Sequence, residues 1–409
     1  MIIGATLATF GAPPMALASP VYAYQQTIAI PGVTTFSGYD LATFDASTQL
    51  YYLTDRSNNG IDVFSAATNK YVERIGAGLF AGSQGGNNDI AGPNGISLSN
   101  VGSGKLLIAG NGPSNLLSFN LDGTGLNVLG APRTTSTAVT GTPTPPNRVD
   151  GVAYAPTANT ILAANNASNP GFLTLINNAT GAVTRSILLN GTGGFPNVGA
   201  NGVEAAIFNT ARATYFVGVP SLNAAGTGAG GVIELDPLTG NLLNTYDFNA
   251  MGLSGACSPT GVVQGSSSTM LVACSDPTAG HSVLLDPTGK GSLKLVNGIS
   301  GGDQVAFDPR TNTFFEAARF QPGGPVLGII DGLTLGLQTI AIGANDHSVA
   351  VDPISSEVFI ATAGTSAFAN CANGCIGVLS PTSVPEPGSL PLVAIALAGL
   401  GLVSLRRKS

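Results

Sequence analysis

The chain has 409 residues, 56 of them Gly and 26 Pro, yet only 9% are charged. With 44% apolar residues, no Trp and a net charge of −7, it is neither a coiled coil nor a disordered polyelectrolyte. It is not a nucleic-acid binder either, because phosphate neutralisation needs clustered Lys and Arg.

Residues 1–23 are apolar and read as an export signal, with Ala16-Leu17-Ala18 and Val21-Tyr22-Ala23 as small-residue cleavage points. The first basic residue is Arg56, so the positive n-region of such a signal is missing and the true translation start is expected upstream. From residue 40 onward one phrase recurs: a polar residue, an apolar run, a turn and a second apolar run. It starts at Asp40, Asn94, Asp150, Asn201, Thr260, Asp303 and His347, giving seven units of about fifty residues. The first unit contains four short apolar runs, Leu41 to Phe44, Leu50 to Thr54, Ile61 to Phe64 and Tyr71 to Ile75, separated by turn residues. Four strands per unit at this period predict propeller blades. A blade cannot bury both its faces alone, so the ring must close. Gln26-Thr-Ile-Ala-Ile30 repeats as Gln338-Thr-Ile-Ala-Ile342, the fourth strand of unit six. The last unit has three good strands, around 349–351, 357–362 and 375–379, so residues 26–30 are expected to supply its fourth.

The expected fold is therefore all-β: a seven-bladed β-propeller of four-stranded antiparallel blades over 24–383. Insertions at 124–147 and 220–230 interrupt the middle units. The unit-opening residues should stand at the entry to each innermost strand, at the mouth of the central channel. A ring of Asp40, Asn94, Asp150, Asn201, Thr260, Asp303 and His347 is suited to a hard cation such as Ca²⁺ or Mg²⁺, or to a polar ligand. The competing reading is a set of turn formers that satisfy backbone amides. The next position is Gly in four units (Gly95, Gly151, Gly202, Gly261). Three steps in, the residues are small except Glu204, whose carboxylate needs a partner such as Arg148 or Arg212, or a metal. His347 beside Asp346 is a candidate general base. His281, in a turn-like stretch, is expected to be solvated. Gly85-Gly86-Asn87-Asn88-Asp89 looks like a single fragment of a calcium loop. No GxSxG, HExxH or P-loop occurs. Four Cys in an exported chain imply disulfides. A hairpin over 260–274 pairs Cys257 with Cys274, and Cys371 with Cys375 would lock a surface loop. The two pairs lie in non-adjacent blades, which argues against a four-Cys zinc site.

At the C-terminus, Pro385-Glu386-Pro387 precedes an uncharged stretch, 390–405, and then Arg406, Arg407 and Lys408. Sixteen residues make about 24 Å of helix, close to the span of a bilayer core. The basic cluster favours the cytoplasmic side, which leaves the bulk of the chain outside. Residues 384–409 resemble the PEP-CTERM sorting signal of exported bacterial proteins: a Pro-Glu-Pro motif, an apolar helix and an Arg cluster in fixed order. The resemblance implies recognition by an exosortase-type membrane peptidase, cleavage near the motif, and release or attachment at the cell surface. The first unit resembles the YVTN and NHL-type propeller repeats. Tyr52-Leu53-Thr54-Asp55 stands in place of Tyr-Val-Thr-Asn, and Ile61-Asp62-Val63 with Thr68-Asn69-Lys70 match the third strand and its turn. That family hosts many functions. The functional expectation is an exported, non-enzymatic module that binds a glycan or protein ligand at the envelope or in the extracellular matrix. The alternative is a metal-dependent hydrolase or lyase, since Glu204, Asp150, Asn94 and His347 resemble the mouth residues of lactonase-type and antibiotic-lyase propellers. A purely structural matrix protein is the third reading.

Overall fold

A computed structural model describes residues 20–382 apart from 33, 34, 146, 201 and 254. The described residues form seven four-stranded antiparallel sheets. We letter the strands of each blade A to D, from the channel outward. Blade 1 consists of Tyr39–Asp45, Leu50–Asp55, Gly60–Ser65 and Lys70–Ile75, which are the four runs expected from the sequence.

The local chemistry explains the hairpins. Strand B often begins just after a residue in the left-handed conformation: Gln49, Asn159 and Asn312 have φ of 54°, 51° and 53°. Asn tolerates this region better than most side-chain-bearing residues. Asp carboxylates complete other turns. Asp236 Oδ1 accepts hydrogen bonds from the backbone N–H groups of Leu238 (3.0 Å) and Thr239 (2.7 Å), and Asp331 Oδ1 does the same for Leu333 and Thr334.

The described residues share no single central core. Seven apolar clusters lie one between each pair of neighbouring blades. Strands B and C are therefore buried on both faces; strand B of blade 1, Leu50–Asp55, is buried throughout. The outermost strands are only partly covered.

Closure occurs in blade 7, whose order is Val21–Ile28, Cys375–Thr382, Val358–Thr362 and Ser348–Val351. The N-terminal strand is thus strand D of the last blade, in keeping with the repeated phrase. Gln26 pairs with Val378 just as Gln338 pairs with Ile329 in blade 6. The strand departs from expectation in its limits. It stops at Ile28, and it starts at Val21, three residues before the anticipated domain boundary at 24. Tyr22 is the reason: its ring meets Phe315 of blade 6 edge-on at 5.1 Å. The Gln338 side-chain amide also brackets its backbone, accepting from Tyr22 N (3.1 Å) and donating to Tyr22 O (3.0 Å). Both expected disulfides are present, Cys257–Cys274 and Cys371–Cys375, and all four residues are buried. The C-terminal apolar stretch and the sorting motif (Pro385, Glu386, Pro387, Arg406, Arg407) lie outside the described residues. Among the described residues no helix is long and apolar enough to cross a membrane.

Candidate functional site

Each strand A enters from the channel mouth, and one backbone hydrogen bond marks the residue at its entry. Asn94 N donates to Gly110 O (2.9 Å), Asp150 N to Ala164 O (2.8 Å), and Asp303 N to Ala317 O (3.1 Å). In blade 4 the same bond is made by Glu204 N to Gly218 O (3.0 Å). The ring at the mouth is therefore Asp40, Asn94, Asp150, Glu204, Thr260, Asp303 and His347. This corrects the sequence alignment of blade 4 by three positions: Glu204 is the ring residue, and it is not deeper along the strand. Asn201 lies outside the described residues. Ala205, not Gly202, occupies the following position. Close approach of neighbouring strands sets that position's preference: a Cβ on Gly95 would lie 1.8 Å from Asp150 O, and one on Gly261 1.9 Å from Asp303 O.

Sequence reasoning missed Arg56 and Arg319, and it named Arg148 only as a partner for Glu204. Arg56 and Arg319 leave the ends of strand B in blades 1 and 6, and Arg148 precedes the ring residue of blade 3. Each meets a ring carboxylate. Arg56 pairs with Asp40 through a short contact and also donates from Nε and Nη2 to Asn94 Oδ1 (3.0 and 2.6 Å). Arg148 Nη2 donates to Asp150 Oδ2 (2.9 Å) and to Asn166 Oδ1 (3.0 Å). Arg319 Nη2 reaches Asp303 Oδ2 at 2.9 Å. Glu204 has neither of its expected partners as a direct contact. Its Oε1 accepts from Asn166 Nδ2 at 2.6 Å, while Arg212 binds Glu234 on another strand.

Burial and charge set the protonation of the ring. Burial pushes the Asp40 carboxyl up, but Arg56 and His347 outweigh it and hold the group well below the usual carboxylate range. Glu204 goes the other way. Burial and the nearby Asp150 charge raise it well above the ordinary value, and Arg148 offsets this only in part. Asp150 is raised as well, by burial acting against Arg148. The mouth thus places an ionised carboxylate in blade 1 and one biased to the neutral acid in blade 4.

His347 is buried and stacks on Tyr39 at 4.8 Å. Its Nδ1 lies 2.6 Å from Asn345 O, which fixes the proton on that nitrogen, and its Nε2 faces Asp40 Oδ1 at 3.5 Å. Asp346 does not orient the imidazole. It accepts instead from Tyr39 Oη (3.1 Å) and Gly343 N (2.6 Å), so the expected His347–Asp346 pair is not formed. His281 is not solvated either. It is buried at the start of strand C in blade 5 (His281–Asp286), and its Nε2 has no hydrogen-bond partner.

These groups surround a cavity of about 610 Å³. Residues 83–90 fold over its edge as a flap, with Ser83, Gly86 and Asn88 on the lining. Arg148 holds the flap through Nη1 to Asn88 O (3.1 Å) and its backbone N to Asp89 O (2.6 Å). The fragment resembling a calcium loop serves here as cover. Among the described residues no three His, Cys, Asp or Glu side chains come together as a metal site, and three of the four ring carboxylates are bound to guanidinium groups. This donor set suits a polar organic ligand better than Ca²⁺ or Mg²⁺.

No protein-family model matches the chain, and no curated protein matches it significantly. Many solved structures do. The RRP9 WD40-repeat structure matches with a TM-score of 0.59 at 11% identity, over 89% of this chain and 99% of that one. Hydrazine synthase of Kuenenia stuttgartiensis matches at 0.60 and 13% identity, over 85% and 97%. Chaetomium thermophilum Raptor matches at 0.59 and 13% identity, over 90% of this chain but 30% of that longer one. At these identities the likeness is one of fold, and together with the seven sheets it establishes a seven-bladed β-propeller.

Proposed function

We propose that the protein is an exported, surface-sorted propeller of YVTN/NHL-like type that binds an uncharged, hydroxyl-rich ligand, of glycan chemistry, at its channel mouth. The observation that carries this reading is the pairing of charges around the cavity: Arg56 with Asp40, Arg148 with Asp150, Arg319 with Asp303. Opposite charges cancel locally, and Glu204 is biased toward its neutral acid. The lining therefore offers fixed donors and acceptors without a strong net field, which suits hydroxyl groups and disfavours highly charged partners. The tail, 384–409, supports export, recognition by an exosortase-type peptidase and residence at the envelope or in the matrix. The disulfides are consistent with that compartment.

The test is a glycan array followed by calorimetry on the binders, with the wild type and Arg148→Ala. Loss of Arg148 frees Asp150, Asn166 and the flap together. Ligands bound by the wild type should bind at least tenfold more weakly to the variant, about 1.4 kcal/mol. Binding that is equal in both proteins, or confined to polyanions, would remove the mouth as the site.

A further inference from the structure

The topology fixes which face the chain ends leave. Strand A runs from the mouth to the opposite face, B returns, C leaves again and D comes back. Cys375–Thr382 is strand C of blade 7 and Val21–Ile28 is its strand D, so Thr382 and Val21 both lie on the face away from the mouth. They are paired there, and Thr382 Oγ1 donates to Val21 O at 2.7 Å. Only seven residues, 383–389, separate Thr382 from the uncharged stretch 390–405. Fully extended, seven residues reach at most about 25 Å.

The same face has its own chemistry. Leu333, at the tip of the C–D turn of blade 6, is 78% exposed, and Ile354, in the A–B turn of blade 7, is 51% exposed. Leu238 protrudes from the C–D turn of blade 4. Arg310 lies beside Ile354, its guanidinium bonded to the Ile354 carbonyl. The Asp residues of these turns are turned inward onto their own backbone, as Asp352 is onto Ile354 N (2.8 Å). Protruding aliphatic tips, a basic residue beside one of them, and turn carboxylates already bonded to their own backbone are the pattern of a surface that rests in the headgroup region.

We propose that the uncleaved, anchored protein lies against the bilayer by the face opposite the channel mouth, with the Leu333 and Ile354 turns of blades 6 and 7 in contact with lipid. The mouth then opens away from the membrane, toward soluble or matrix ligands. This rests on the tail acting as a membrane segment. The short tether holds blade 7 near the bilayer, and the aliphatic tips of the adjoining turns select the face.

The absence of Trp from the chain supplies a silent background for the test. Leu333→Trp, Ile354→Trp and Phe320→Trp are each introduced into the full-length protein. Phe320 is an exposed residue on the mouth face, next to Arg319. Each variant is reconstituted into vesicles of phosphatidylglycerol and acyl-brominated phosphatidylcholine. Emission from Leu333→Trp and Ile354→Trp should be quenched several-fold more than that from Phe320→Trp, and shifted to the blue. Equal or stronger quenching of Phe320→Trp overturns the orientation. Protein that floats with the vesicles while no probe is quenched overturns lipid contact but leaves the anchor. Protein that fails to float removes the anchor, and the orientation with it.

Discussion

At the scale of single residues, the buried carboxyls give the clearest expectation. Glu316 in strand B of blade 6 is fully buried; Ser282 Oγ donates to its Oε1 at 2.8 Å, and its Oε2 has no partner. Burial pushes its pKa to about 8, and burial with the neighbouring Asp55 charge does the same to Asp62. A carboxyl raised in the folded state binds its proton more tightly there than in the unfolded chain. Its stabilising contribution is complete below the unfolded value, near 4.3 for Glu, and is lost as pH rises through about 8. Thermal unfolding from pH 4 to 9 should therefore show stability falling through that interval. Glu316→Gln should flatten the decline and exceed the wild type at pH 8 by a few kcal/mol, since each tenfold change in proton affinity is worth about 1.4 kcal/mol. Parallel curves for the two proteins would show that Glu316 ionises freely in the fold. The same scale shows what sequence reading can recover of the site. Six of the seven ring positions are legible because each opens a strand with a polar residue. Blade 4 slips because Asn201-Gly202-Val203 imitates Asp150-Gly151-Val152, while the register is decided further along the chain by the hairpin that pairs Ala206 with Val217. The residues that face the ring do carry a local signal: Arg56, Asn166 and Arg319 each stand sixteen residues after their ring residue, at the end of strand B. Which carboxylate each one meets depends on the channel, and no local pattern carries that.

Among the elements, the closing strand bears the most weight. It covers the outer edge of blade 7 and anchors Tyr22 on blade 6 through Phe315 and Gln338. Deleting residues 21–28 should sharply lower the melting temperature, because an exposed sheet edge and an uncovered Phe315 remain. An unchanged melting temperature would mean that the ring is held without it. This element is legible from the repeated Gln-Thr-Ile-Ala-Ile phrase, since register within a blade follows the alternation of its side chains. Its true start is not legible, because the bulge between Tyr24 and Gln26 breaks that alternation. The start bears on processing as well. Cleavage after Ala23 would remove Tyr22 from the closure, whereas cleavage after Ala18 would spare it. The disulfides belong to this scale too. Cys257–Cys274 ties the approach to strand A of blade 5 to the end of its strand B, across 17 residues. A loop of that size stabilises by about 3 kcal/mol in the chain-entropy estimate. Denatured, unreduced protein should show no reactive thiol, and reduction should lower the unfolding midpoint; four reactive thiols would contradict both bridges.

Across the whole molecule, stability is shared among seven inter-blade clusters, so each blade depends on both neighbours. A core change in one blade should therefore loosen the two interfaces beside it before the rest. The pairing of Val21 with Thr382 adds a constraint of time. The two residues are 361 apart in the chain, and the ring cannot be completed until nearly all of it has been made. During synthesis the protein is an open arc whose first strand, Val21–Ile28, is unpaired until blade 7 is made, the kind of strand that recruits another copy. Slow production at low concentration, or a chaperone that shields strands, should favour closed monomers, and overproduction should favour chains that lend their first strand to a neighbour.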